Sequence, residues 1–266
     1  MTEEIVQSRD LDDDIDRYLM QGYHMDMIMP SDAPREVLLS NGENTVRLRS
    51  KNRIHSSNAD WVTGRAGMEY RDLLPGRMDG KMIASHIRLK QGGEVPDYVH
   101  YHKVYFQMIY CKRGRIKVVY EDQGEAFWLE TGDCVLQPPE IRHRVLECTE
   151  GAEVIEISMP AEHETWVEHD IELPTSEIRP DRKFSGQHFI CSRSGGASWE
   201  VSGFGGFERR ETGIDIASGG IANVQMFCPV TKGSEKTTTA IYEAGKGLMI
   251  FMDDGSWLLL DLLSIS

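Results

Sequence analysis

The chain has 266 residues, with 29 Lys and Arg against 43 Asp and Glu, a net charge of −14, and 40% hydrophobic residues. That balance is ordinary for a soluble globular protein and long enough for a sizeable core, but it disfavours nucleic acid and anionic membranes, which ask for basic patches. The acidic start lacks the apolar stretch of a signal peptide, the apolar run 257–263 is broken by Asp261 and too short to span a bilayer, and the five scattered cysteines show no CxxC spacing, so a cytoplasmic chain with reduced thiols is expected.

Taken in order, residues 1–21 form an acidic start with a short helix over 12–20. Strand-like pieces follow at 23–29 and 45–49, separated by turn signals at Pro30 to Pro34 and Asn41-Gly42. Residues 51–80 are polar and read as loop and short strand against the outside of a barrel, with a Leu73-Leu-Pro-Gly76 turn. From Lys81 the grammar changes. Strands are predicted at 82–89, at the His100/His102 segment, and at 104–111, 115–120, 126–129, 134–137, 143–147 and 153–159, joined by glycine turns. Residues 161–200 read as an acidic connector. Beyond it, strand-like pieces at 222–228, 238–242, 248–252 and 257–263 suggest a second, degenerate copy of the first fold.

The segment Tyr98-Val-His-Tyr-His-Lys-Val-Tyr-Phe-Gln107 carries the chemistry. Two histidines at i and i+2 of a strand leave the same face. Gln107 follows, and His143 arrives from the later run Pro138-Pro-Glu-Ile-Arg-His-Arg-Val145. Three neutral imidazoles and an amide oxygen converging inside a barrel would hold one divalent transition metal ion, Fe, Mn, Ni or Zn. Tyr105 is a candidate proton donor or substrate anchor beside the metal, or else a packing aromatic with a polar tip. Glu140 is a candidate general base at the barrel mouth, or else a solvated turn residue.

These residues resemble the cupin superfamily. Its first motif is a glycine, HxH, an acidic position and a closing glycine, met here by Gly93, His100-Tyr-His102, Gln107 and Gly114. Its second is met by Gly132, Pro138 and His143, with Glu140 where glycine is usual and Glu147 where asparagine is usual. The resemblance spans about residues 81–160 and implies an all-β fold, a cupin jelly-roll barrel (double-stranded β-helix) with one metal inside. The expected organisation is an N-terminal extension (1–80), the barrel (81–160), a connector (161–200) and a degenerate cupin-like C-terminal half (201–266).

Gln107 stands where the family has glutamate, which leaves the ion its full charge and raises its Lewis acidity. The family then implies three readings. The first is a non-haem metal dioxygenase on a small oxygen-rich organic molecule. The second is a redox-neutral Lewis-acid isomerase or lyase on a sugar acid or carboxylate. The third is a non-catalytic ligand-binding or sensor protein. The segment His163-Glu-Thr-Trp-Val-Glu-His169 is not a zinc-protease motif, because its histidines are six apart. No histidine follows His188, so the C-terminal half cannot repeat the metal site. It is expected to cover a sheet edge or form the interface of a homodimer.

Overall fold

A computed structural model describes residues 3–50, 61–74, 76–230, 239–243, 247–252 and 256–262. Residues 51–60 of the polar stretch read at 51–80, Pro75 of the predicted turn, Thr238 and the end 263–266 lie outside these residues.

The hydrophobic alternation of the central strands decides the architecture. In Arg115–Tyr120, whose bounds match the sequence reading, Ile116, Val118 and Tyr120 point into a buried cluster. Lys117, between them, points outward to Glu147 at 2.7 Å. From the opposite sheet Ile109, Cys111, Val135 and Val154 enter the same cluster, so two sheets face each other across one interior. This is the all-β arrangement of two facing sheets expected of a jelly roll.

The first sheet runs, in spatial order, Glu3–Ser8, Thr45–Ser50, Glu36–Ser40, His24–Met29, Thr165–Val167, His100–His102, His143–Cys148, Arg115–Tyr120 and Phe127–Glu130. The second runs Ile190–Ser192, Cys134–Leu136, Phe106–Arg113, Ala152–Met159, Ile83–Leu89, Glu69–Asp72 and Val62–Thr63. Residues 3–50 thus prolong the first sheet edgewise. Glu3–Ser8, read in the sequence only as an acidic start, lies parallel to Thr45–Ser50. Helix Leu11–Met20, capped by the Asp10 carboxylate accepting from the Asp13 N–H at 3.2 Å, lays Leu11, Ile15 and Tyr18 over Val37, Leu39, Val46 and Leu48. Within 161–200, Thr165–Val167 bridges the two parts: Thr165 pairs with Ile28 on one side and His102 on the other.

A third sheet, Glu200–Val201, Phe207–Glu211, Ala222–Pro229, Trp257–Leu262, Gly247–Phe251 and Thr239–Glu243, closes the outer face of the second. Val224, Met226, Leu258 and Leu260 pack there against Phe106, Met108, Leu136 and Ile157. The C-terminal half covers a face of the barrel, not one of its edges. Phe106–Arg113 is therefore buried on both sides, which is why its sequence is nearly continuous in apolar residues. No helix among the described residues is long and apolar enough to cross a membrane.

Candidate metal centre

His100 and His102 are both buried, while Tyr101 between them turns to the other face. His143 pairs directly with His100 across the antiparallel ladder. The ring centroids are 4.2 Å apart for His100 and His143, 5.1 Å for His100 and His102, and 5.2 Å for His102 and His143. One ligand atom from each lies within 4.8 Å of the others.

The other nitrogen of each ring is fixed. Nδ1 of His100 meets the Tyr98 carbonyl at 2.8 Å, and Nδ1 of His143 meets the Ile141 carbonyl at 2.9 Å. A carbonyl can only accept, so both Nδ1 atoms carry the proton and each neutral ring keeps its lone pair on Nε2. Nδ1 of His102 meets Thr165 Oγ1 at 2.9 Å, and that oxygen meets Ser31 Oγ at 2.6 Å. Buried Asp97 lies 3.7 Å from His100 Nδ1 and accepts the Val145 N–H at 3.0 Å. Three imidazoles oriented through Nδ1 are the donor set a divalent transition ion requires, and the residues present fit one.

Behind the histidines runs a polar chain. The Tyr120 hydroxyl donates to Gln137 Oε1 at 2.6 Å, and Gln137 Nε2 donates to Gln107 Oε1 at 3.0 Å. The phenol sets the direction of both amides. Burial, reinforced by Cys191 and Glu156, pushes Tyr120 well above the usual range, so it remains a donor. Gln107 is 1% exposed, its oxygen is committed to Gln137, and its Nε2 has no partner among the described residues. An unpaired buried amide N–H costs about 1–3 kcal/mol. It is a donor in want of an acceptor.

The histidines, Tyr120 and Gln137 line a cavity of about 50 Å³, together with Glu156. Ser158 Oγ donates to Glu156 Oε1 at 3.1 Å. Glu156 went unremarked in the sequence, although a single acid flanked by Ile155 and Ile157 in a strand is a signal that could have found it. His163, read as part of a charged linker, is buried with its ring edge-on to His102 at 5.4 Å.

The two candidate catalytic residues are not brought to this cavity. Tyr105 is 50% exposed and precedes the strand; its N–H donates to the Met159 carbonyl at 2.6 Å. Glu140 is exposed, with φ 61°, and its N–H donates to the His102 carbonyl at 3.1 Å. Its backbone ties the turn before His143 to the histidine strand while its side chain faces solvent. The left-handed φ explains why glycine suits this position. Gly114 has φ 69°, and a Cβ there would lie 2.5 Å from Thr149 Oγ1 and 3.2 Å from the Ala152 Cα. Only glycine fits the turn.

No protein of curated function matches the chain. Among solved structures, a deletion variant of Bacillus subtilis oxalate decarboxylase aligns at 12% identity over 73% of this chain and 64% of its own, with a TM-score of 0.43. This chain thus spans under two thirds of that enzyme's length. An RmlC-like cupin from Shewanella frigidimarina aligns at 25% identity over 40% of this chain and 91% of its own, TM-score 0.32. KdgF from a Halomonas species aligns at 20% identity over 38% and 87%, TM-score 0.31. Residues 85–158 match the family described as Cupin domain. That segment, similar to the cupin domain, holds all three histidines, Gln107 and Gly114, and its sheets are prolonged and covered by the residues on either side.

Proposed function

We propose that this protein is a metal-dependent enzyme acting on a small oxygen-rich organic molecule by redox-neutral proton transfer, as an isomerase or lyase of a sugar acid or related carboxylate. The supporting observation is that a carboxylate, Glu156, lines the same small cavity as the three histidines. His100, His102 and His143 would hold the ion through Nε2. When bound, a divalent ion with only neutral ligands supplies Lewis acidity and attracts anionic oxygen.

The chain's own residues supply the rest. Glu156 takes a proton from the carbon next to the substrate's carboxylate or carbonyl and returns it to another carbon in an isomerisation, or to the departing hydroxyl oxygen, released as water, in an elimination. Gln107 Nε2–H donates to a substrate oxygen, which supplies its missing acceptor. Tyr120 and Gln137 hold that amide in its orientation. A cavity of about 50 Å³ has room for roughly four waters at 10–15 Å³ each, so only a few heavy atoms of substrate enter. That favours a small carboxylate over a multi-ring substrate.

The dioxygenase reading keeps one supporting feature: a three-histidine set without a carboxylate among its ligands. The test is to incubate metal-replete protein with small carboxylates and sugar acids in D₂O, following proton exchange by NMR and oxygen by electrode. The expected result is isomerisation or elimination without oxygen uptake, lost in Glu156→Gln with metal content unchanged. Oxygen consumption that requires His100 would replace this reading with the dioxygenase. Binding without turnover would leave a sensor.

A further inference from the structure

Outside the barrel interior, one other cluster of metal-ligating side chains stands out among the described residues. His24 and Asp26 belong to strand His24–Met29, and His169 follows strand Thr165–Val167. We infer that His24, Asp26 and His169 form a second, surface site for a zinc-like divalent ion, which clamps the N-terminal sheet to the segment that joins it to the barrel.

The placement comes from a bulge. Met25 pairs with Leu39 and Met27 with Leu38, so Asp26 is the extra residue with no partner across the ladder. Bulges re-aim side chains. On the other side, the antiparallel pairing of Trp166 with Met27 carries the chain past Asp26 and brings His169 beside His24. The two rings meet edge to face, with centroids 4.6 Å apart.

The distances suit an ion. His24 Nε2 is 3.2 Å and His169 Nε2 is 3.3 Å from the same oxygen, Asp26 Oδ1. All three ligand atoms lie within 4.8 Å of one another. Tetrahedral zinc with bonds of roughly 2.0–2.1 Å has ligand-to-ligand edges of about 3.3 Å. His24 Nε2 also meets Ser40 Oγ at 3.2 Å. Two imidazoles and one carboxylate are a borderline-soft set that takes zinc, nickel or copper. The side chains of His24 and His169 are 50% and 42% exposed, so solvent can complete the coordination. The site owes nothing to the barrel histidines.

The test is a zinc titration of the full chain, free of any affinity tag and stripped of metal, against a chromophoric chelator. His24→Gln and His169→Gln are each expected to bind one zinc ion fewer than wild type, while His143→Ala keeps the surface ion. Zinc should raise the thermal midpoint of His143→Ala, and this rise should vanish when His24→Gln is added. Surface variants that bind as many zinc ions as wild type, or a zinc-induced rise that survives His24→Gln, would overturn the inference. Comparing the two classes of variant separates failure at this site from failure at the barrel.

Discussion

The two faces of strand Phe106–Arg113 can be compared residue by residue. One face sends Gln107, Ile109 and Cys111 toward the interior that holds the histidines; the other sends Phe106, Met108 and Tyr110 under the C-terminal sheet. The inner face tolerates an unpaired amide and adjoins a cavity. The outer face is close-packed and apolar where the third sheet covers it, and further along it turns ionic, with Glu153 between His86 and Lys112 at 2.8 Å from each. One sheet thus separates the histidine-lined interior from the apolar layer that the C-terminal sheet covers.

The largest test of that division is Phe106→Ala. The side chain is fully buried, so the change should cost about 3–5 kcal/mol in denaturant unfolding. Metal content per folded molecule should not change. Metal loss from a folded variant would break the division.

Next in size is the ionic end of the outer face. The His86 ring, then Lys112, hold the Glu153 carboxyl down at about 2, against 4.5 for an ordinary glutamate. Between these values the unfolded chain binds more protons than the folded one. Stability therefore rises with pH across that window and is lost on acidification from about 4.5 to 2. Allowing for screening at a partly solvated site, the contribution is on the order of 2 kcal/mol. Unfolding midpoints should fall more gently over this range in Glu153→Gln; an unchanged slope would remove Glu153 from the account.

On the inner side, Thr165→Val removes the hydrogen-bond partner of His102 Nδ1. Loss of such an orienting contact lowers metal affinity about 10–100-fold, readable by chelator competition. Global stability should change far less than in Phe106→Ala. The smallest effect is expected at Glu140→Gly, which relieves a left-handed backbone and should shift stability by about 1 kcal/mol or less. Any effect on turnover there would bring Glu140 back toward the chemistry.

The barrel was legible because its signals are local. The HxH pair, the Gly114 turn and the alternation of Arg115–Tyr120 each lie within a few residues, and each recurs in the structure. What was not legible depends on distant pairing. Thr165–Val167 is a three-residue strand amid charged neighbours, and it becomes a strand only because His24–Met29 and His100–His102 flank it. Thr165 could not be recognised as the partner of His102 without that pairing. Counting in twos from Gln107 would put Tyr105 on the inner face, but the strand starts at Phe106 and Tyr105 is half exposed. Glu156 carried a local signal, an acid between Ile155 and Ile157, but its place beside the histidines depends on the pairing of distant strands.

The bridging strand has one more consequence. It gives His100–His102 a hydrogen-bonded neighbour on each side, so the ligand-bearing strand is interior to its sheet. An edge strand can peel back to suit a larger or smaller guest. This one is clamped on both flanks, and its amides should be among the slowest in the molecule to exchange with deuterium. The spacing of the imidazoles is then a property of the backbone ladder. An ion of the wrong radius would meet resistance from the whole sheet, so that discrimination among metals would come from stiffness as well as from ligand type.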